Sequence, residues 1–170
     1  MVAALLALPT VFAQEEKEAE KEKDKVDLST IKCPISGRAI DETRTVEHKD
    51  AKVYFCCPNC INAFKKDPKN EKFAAKVNYQ LVATKQAKQQ ACPLSGQKLK
   101  DGTEVEVGYA EVKVAFCCPN CQKKANATKD ADNEAEDKLV ALIFADEEKF
   151  AKAFKIGEEK EEKEGESEEN

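Results

Sequence analysis

The chain has 170 residues, of which 41% are hydrophobic and 36% are charged, and its formal net charge is −5. The charged fraction exceeds the roughly 25% that is usual for a globular domain, and much of the excess lies at the two ends, so the folded part is shorter than the chain. Acidic and basic residues are interleaved and Trp is absent, which argues against the basic stripe with stacking aromatics that nucleic-acid-binding proteins carry.

The N-terminus carries an apolar run over residues 1–13. It ends with Val11 and Ala13, small residues at the −3 and −1 positions of a signal-peptide cleavage site. The run is too short to span a membrane, and the basic residues that usually precede a signal sequence are absent. We predict a signal peptide over residues 1–13, an exported (secreted or periplasmic) protein and no integral membrane segment after cleavage; a short buried helix is the alternative.

Charged segments lie on both sides of the remaining sequence. Residues 14–26 are rich in Glu and Lys and have no apolar face, so we predict a linker there. Residues 157–170 form an acidic stretch that we predict to be a disordered tail. Solvation is its simplest role, and binding of an unidentified protein partner is the alternative.

A first cysteine-containing repeat covers residues 27–85. It begins with a short extended run over 28–32, which leads to a Cys-Pro-x-Ser-Gly element at 33–37. Two β-rich runs at 43–47 and 52–56, joined by a short turn, predict a β-hairpin.

Two helices are predicted to follow this hairpin. Pro58 stands next to Cys57 and favours a helix start there, because the missing N–H of Pro would have had no partner in the first helical turn. Asp67 and Pro68 end that helix. Apolar residues at helical spacing predict a second helix over about 69–84.

A second repeat covers residues 86–156 and follows the same plan. Its Cys-Pro-x-Ser-Gly element lies at 92–96. Runs at 103–107 and 112–117 predict another hairpin, and Pro119 opens another helix.

The second repeat departs from the first within its helices. Ala125 stands where the first repeat has Phe64, and an insertion contains the apolar run 139–144. We predict that this run forms a core-facing helix, which replaces the apolar surface lost with the phenylalanine. Residues 148–151 then repeat the sequence of residues 71–74. The predicted order is a hairpin and two helices in each repeat, an α+β chain of two small treble-clef-like modules.

All eight cysteines lie in these duplicated elements, and residues 55–60 and 116–121 are the same sequence, Phe-Cys-Cys-Pro-Asn-Cys. Thiolates from a turn and a helix start are typical ligands of structural zinc sites. The positive end of the helix dipole lowers the pKa of a thiol placed there. The candidate metal ligands are therefore Cys33, Cys56, Cys57, Cys60, Cys92, Cys117, Cys118 and Cys121.

Thiolates without histidine select soft metal ions over Mg²⁺ and Ca²⁺. We expect Zn²⁺, with Cu⁺ or another soft heavy metal as the alternative, because Ser36 and Ser95 stand where a second turn cysteine would often be. Serine is a poor ligand for soft metals. Cys57 and Cys118, a water molecule or an acidic side chain would then complete each site.

Residues 33–37, a hairpin, residues 53–60 and then Phe64, Pro68 and Phe73 form a pattern that resembles the YHS domain and the related TRASH domain. The resemblance covers both repeats. It implies a treble-clef-like fold and a role in metal binding, metal trafficking or heavy-metal sensing. It also implies a three-cysteine ligand set in each repeat, which falls on Cys33, Cys56 and Cys60 and on Cys92, Cys117 and Cys121.

Two alternatives remain for the cysteines. In an exported protein the eight thiols could form disulfide bonds, in about a hundred possible pairings. Cys57 and Cys60 also have the CxxC spacing of a thiol–disulfide oxidoreductase, although no βαβ context surrounds them. His48, the only histidine, is predicted to be a surface side chain. Since no Ser-His-Asp set or phosphate loop is present, we predict a non-enzymatic protein.

Overall fold

The computed structural model of the protein describes residues 26–129 and 134–157. The first repeat contains a 3-10 helix (Leu28–Thr30), strands β1 (Asp41–His48) and β2 (Ala51–Phe55), and helices α1 (Pro58–Lys66) and α2 (Glu71–Ala83). The second repeat contains strands β3 (Ala87–Gln89), β4 (Val105–Val107) and β5 (Val112–Val114), helices α3 (Pro119–Lys129), α4 (Ala135–Phe144) and α5 (Glu147–Ala153), and strand β6 (Phe154–Ile156). These elements confirm the predicted α+β class.

The terminal predictions fall on parts of the chain that the structure does not describe. The predicted signal peptide over residues 1–13 lies outside the described residues, as do nearly all of the predicted linker (14–26) and tail (157–170). In the part of the chain that is described, no helix combines the length and the apolar character needed to cross a membrane.

The first hairpin forms where the sequence predicts it, with β1 longer than expected. β1 and β2 pair antiparallel, from Thr45 opposite Tyr54 to His48 opposite Ala51. The turn between them is tight, and both of its central residues have positive φ, as type I′ hairpin turns require: Lys49 at 53° and Asp50 at 59°.

Alternation along β2 places one side of the hairpin in the core. Val53 and Phe55 are fully buried, whereas Lys52 between them and the turn is exposed. This period of two is what a strand with one buried face shows. It makes Phe55 a core residue and leaves the following residue, Cys56, at the edge of the core.

The helices of the first repeat also agree with the sequence. α1 begins at Pro58, Cys57 is its N-cap residue, and Cys60 and Phe64 are its buried positions, one turn apart. The segment before the hairpin differs from the prediction. Residues 28–30 form a 3-10 turn rather than an extended run, because the carboxylate of Asp27 accepts a hydrogen bond from the N–H of Ser29 at 2.9 Å and caps the turn.

The second hairpin is shorter than predicted. β4 and β5 pair over three residues each, with Val105 opposite Val114. Beyond them the hydroxyl of Thr103 accepts from the N–H of Phe116 at 3.0 Å and donates to its carbonyl. A side chain thus replaces the backbone pairing that would have extended the strands to the predicted bounds.

The insertion in the second repeat forms the predicted core-facing helix. α4 spans Ala135–Phe144 and buries Leu139, Val140, Ile143 and Phe144. Two further elements follow that the sequence did not separate, helix α5 and strand β6. β6 pairs antiparallel with β3, so the end of the second repeat returns to its beginning.

One hydrophobic core contains residues from both repeats. Tyr79 of α2 packs edge-on against Tyr109 and Phe144, with ring centroids 4.8 and 5.6 Å apart. The neighbouring Asn78 is fully buried and donates to the carbonyl of Phe144 at 2.9 Å. The predicted modules are therefore joined through α2 and α4 and do not have separate cores.

Candidate metal centre

Three cysteines of the first repeat meet at one point. The Sγ atoms of Cys33, Cys56 and Cys60 lie within 4.8 Å of one another. They come from the Cys-Pro-x-Ser-Gly turn, from the residue after β2 and from the first turn of α1. We call these three residues the first triad. Cys33 and Cys60 are buried, and Cys56 is half-buried.

The second repeat builds the same arrangement. The Sγ atoms of Cys92, Cys117 and Cys121 also lie within 4.8 Å of one another, and we call these residues the second triad. They come from the second Cys-Pro-x-Ser-Gly turn, from beyond β5 and from the first turn of α3. The three-cysteine ligand sets that the family resemblance implies are thus the groups that the fold brings together.

The two turns that carry Cys33 and Cys92 have matching backbone hydrogen bonds. The N–H of Cys33 donates to Arg38 at 2.8 Å, and the N–H of Gly37 donates to the carbonyl of Cys33 at 2.9 Å. In the second turn the corresponding bonds are 2.9 Å, from Cys92 to Gln97, and 2.7 Å, from Gly96 to Cys92. Each turn therefore presents its cysteine in the same way.

One sulfur separation in each triad matches the value expected around a tetrahedral metal ion. The Sγ atoms of Cys56 and Cys60 are 3.7 Å apart, and those of Cys117 and Cys121 are 3.8 Å apart. Two thiolates at about 2.3 Å from Zn²⁺ and at the tetrahedral angle are about 3.8 Å apart. All eight cysteines of the chain are free thiols in the structure, so each triad offers three sulfur ligands.

A serine hydroxyl lies beside each triad. Ser36 Oγ is 3.1 Å from Cys56 Sγ, and Ser95 Oγ is 3.0 Å from Cys117 Sγ. These are the serines that stand where a second turn cysteine would often be. At this distance the hydroxyl can donate a hydrogen bond to a thiolate, which stabilises its charge, while contributing little as a ligand for a soft metal.

The adjacent cysteines Cys57 and Cys118 are not members of the triads. Cys57 lies at the N-cap of α1, and its Sγ is 3.5 Å from that of Cys60. The sequence left open whether Cys56, Cys57 or both are ligands. The geometry brings Cys56 to the common point and leaves Cys57 beside it, half-buried.

The turn cysteines are well prepared to lose a proton. Burial opposes ionisation of Cys33, but the N–H groups of Ser36 and Cys56 hydrogen-bond to its sulfur and lower the pKa from 9.0 to about 7. Burial also opposes ionisation of Cys92, and there the Ser95 hydroxyl and the N–H of Cys117 lower the pKa to about 7. Near neutral pH each triad therefore holds a substantial fraction of thiolate.

The cysteines in the first helical turns behave in the opposite way. Burial, and then side-chain hydrogen bonds with neighbouring cysteines, raise the pKa of Cys60 and of Cys121 to about 12. A metal ion must displace these protons, so metal binding at either triad is expected to release protons and to strengthen as the pH rises. For Cys57 and Cys118 the N–H groups of the helix start lower the pKa.

His48 belongs to neither triad, and it is half-buried rather than the surface side chain that the sequence predicted. Its ring stands edge-on against Phe64, with centroids 5.3 Å apart, and it belongs to neither group of clustered ligands among the described residues. Burial lowers the pKa of His48 below 6.5, and the charge of Lys49 adds to the effect.

Sequence reasoning missed two side chains that touch the backbone beside the triads, Gln80 and Gln89. Gln80 is fully buried in α2. The only signal for it was a polar residue inside the apolar stretch of that helix, between Tyr79 and Leu81. Nothing in the local sequence distinguishes Gln89 from the glutamines around it.

Comparison of the chain with protein-family models, with curated proteins and with solved structures finds no match. The resemblance to YHS and TRASH domains therefore stays a prediction from the residue pattern. The case for a metal centre depends on the two triads and on the chemistry of their thiols.

Proposed function

We propose that the protein is an exported, non-enzymatic metal-binding protein that holds one soft metal ion in each triad. The supporting observation is that two cysteine triads, built from corresponding residues of the two repeats, have sulfur atoms close enough to share an ion. Zn²⁺ is the ion we propose, and Cu⁺, which accepts three sulfur ligands, is the alternative. The residue pattern supports membership of the YHS or TRASH type for both repeats.

The chain's own residues prepare the site before an ion arrives. The turns orient Cys33 and Cys92, burial excludes water from them, and Ser36 and Ser95 are placed to hydrogen-bond to sulfur. A bound soft ion would cross-link turn, strand and helix, and in small modules its binding contributes roughly 10–16 kcal/mol to folding. We infer that each bound ion also stabilises the fold of the repeat that holds it.

Metal analysis combined with a thiol count tests this function. Protein purified without reductant from its native compartment should carry two ions per chain, one for each triad. Cys60→Ser should reduce this to one, because it removes a member of the first triad only. Cys57→Ser is the matched control and should retain both. Two ions per chain in Cys60→Ser would contradict the assignment.

Export is tested on the same sample by N-terminal sequencing. If the signal peptide is cleaved as proposed, the sequence should begin at Gln14.

A thiol–disulfide oxidoreductase is the second candidate function, favoured by one observation. Cys57 and Cys60 lie at a helix start with their sulfur atoms 3.5 Å apart, and the N–H of Cys60 lowers the pKa of Cys57. This candidate predicts turnover in a disulfide reductase assay that Cys57→Ser abolishes. A disulfide-stapled protein, by contrast, would show no free thiols after chelation without reductant.

A further inference from the structure

Gln80 is a fully buried polar side chain in the middle of α2. Its amide accepts a hydrogen bond from the N–H of Tyr54 at 2.7 Å. The same amide donates to the carbonyl of Tyr54 and to the carbonyl of Lys32, each at 3.1 Å. A buried amide makes such bonds in place of water, and here all of them go to the backbone of two segments.

Those two segments are the ones that carry the first triad. Lys32 directly precedes Cys33, and Tyr54 stands two residues before Cys56. A primary amide offers one donor face and one acceptor face, so Gln80 pairs with Tyr54 as a neighbouring strand would. Cys56 is the first residue after β2, and its Sγ lies within 4.8 Å of that of Cys33.

Gln89 makes the same set of contacts in the second repeat. It accepts from the N–H of Ala115 at 2.9 Å, and it donates to the carbonyls of Ala115 at 2.8 Å and Ala91 at 3.1 Å. Ala91 directly precedes Cys92, and Ala115 stands two residues before Cys117. The Sγ atoms of Cys92 and Cys117 likewise lie within 4.8 Å of each other.

The two glutamines reach these corresponding positions from different parts of the fold. Gln80 belongs to helix α2, which follows its triad in the chain. Gln89 belongs to strand β3, which precedes its triad. Duplication of the sequence therefore does not explain why both sites have this amide, since the two residues do not occupy matching places in the repeats. A requirement of the metal site for this amide explains its presence in both repeats.

We propose that Gln80 and Gln89 are positioning residues for metal binding. Each ties the residue that precedes the turn cysteine to the strand residue two before the strand-end cysteine, and so holds these two cysteines of one triad at the separation that a shared ion needs. This proposal rests on the proposed function. The amides contact no ligand atom and act through the backbone, so that the triad is assembled before the ion binds.

The test measures the affinity of each triad separately. Cys121→Ser leaves the first triad intact and Cys60→Ser leaves the second, and into these two backgrounds Gln80→Met and Gln89→Met are introduced. Met preserves the side-chain volume and removes the hydrogen bonds. Zn²⁺ affinity is measured by competition with a chromophoric chelator, and the thiolate-to-metal absorption of the Co²⁺-loaded protein reports ligand geometry.

Gln80→Met should weaken Zn²⁺ binding at the first triad by roughly 10- to 100-fold, the usual loss when an outer-shell partner is removed, and leave the second triad unchanged. Gln89→Met should do the converse. In each case the Co²⁺ absorption of the affected triad should also change. A purely structural role would instead lower the affinity of both triads together, because both belong to one core.

Gln86→Met is the matched control. The amide of Gln86 accepts from the N–H of Lys52 at 2.6 Å and donates to its carbonyl at 2.8 Å, on the same strand β2 but away from any cysteine. Its loss should leave both affinities as they are. Gln89 is only half-buried, so Gln89→Met is the safer variant for folding. If Gln80→Met fails to fold, the result for Gln89→Met at the second triad decides whether the proposal holds.

Three results would overturn the proposal. One is unchanged affinity in the Gln80 and Gln89 variants while the parent protein binds Zn²⁺, which leaves the proposed function standing. Another is a loss of Zn²⁺ affinity that is equal at both triads, or that Gln86→Met shows to the same extent. The third is a parent protein that binds no Zn²⁺ or Co²⁺ at all, which rejects the proposed function as well.

Discussion

Among the glycines that the structure describes, Gly108 is the one at which an added methyl group would meet a neighbouring side chain. Its φ is 71°, and a Cβ there would lie 2.5 Å from the ring of Tyr79, whose hydroxyl accepts from the N–H of Ala110 at 2.8 Å. We expect Gly108→Ala to lower the free energy of unfolding by roughly 1–2 kcal/mol through left-handed backbone strain, and by a further 1–3 kcal/mol, roughly, through overpacking. Urea denaturation measures the sum.

Gly102→Ala separates these two contributions. Gly102 has nearly the same φ, 75°, and nothing lies within 4 Å of its missing Cβ. This variant should therefore lose only the backbone part. Equal losses in the two variants would show that the contact between the second hairpin and the ring of Tyr79 does not matter to stability.

At the scale of single elements, α4 carries much of the apolar surface of the second repeat. Leu139 is fully buried on its inner face, whereas Leu142 is half-buried. We expect Leu139→Ala to lower the free energy of unfolding by about 2–5 kcal/mol, since the cavity adds to the lost transfer free energy. Leu142→Ala is the control with the same chemical change and should cost clearly less. Similar costs for both would mean that α4 is not docked as described.

At the scale of the whole molecule, the shared core predicts that one repeat does not fold without the other. Residues 26–85 alone would expose Tyr79, which packs on Tyr109 and Phe144, and would leave Asn78 without its carbonyl partner. In the absence of metal we expect this fragment to be largely unstructured by far-ultraviolet circular dichroism. The full chain should unfold in one transition.

The fragment experiment has a clear opposite outcome. A fragment of residues 26–85 with the helical signal expected from α1 and α2, and with a cooperative melt, would show that the contacts of α2 with the second repeat are dispensable. Addition of Zn²⁺ to the same fragment then measures how much of the missing stability a metal ion restores.

Much of this protein follows from local sequence patterns. The duplicated cysteine elements, Pro58 and Pro119 at helix starts, and the alternation in β2 depend on residues close together in the chain, and the structure has those elements where they are predicted. The core-facing helix predicted over 139–144 is also confirmed. The signal for it was local: the second repeat has Ala125 in place of Phe64, and the apolar run supplies buried surface instead. The choice of the cysteines as candidate metal ligands follows equally from residue type and spacing.

Tertiary structure decided the triad membership, strand β6 and the contacts of the two glutamines. These features depend on which residues far apart in the chain come together and pair. Which of Cys56 and Cys57 meets Cys33 follows from how strand and turn are packed, and adjacent residues cannot be told apart by spacing alone. Strand β6 forms because the edge of β3, more than 60 residues earlier, is open to it. Gln80 and Gln89 reach their triads from unrelated elements, so only the folded chain shows that both triads are held by the same amide contacts.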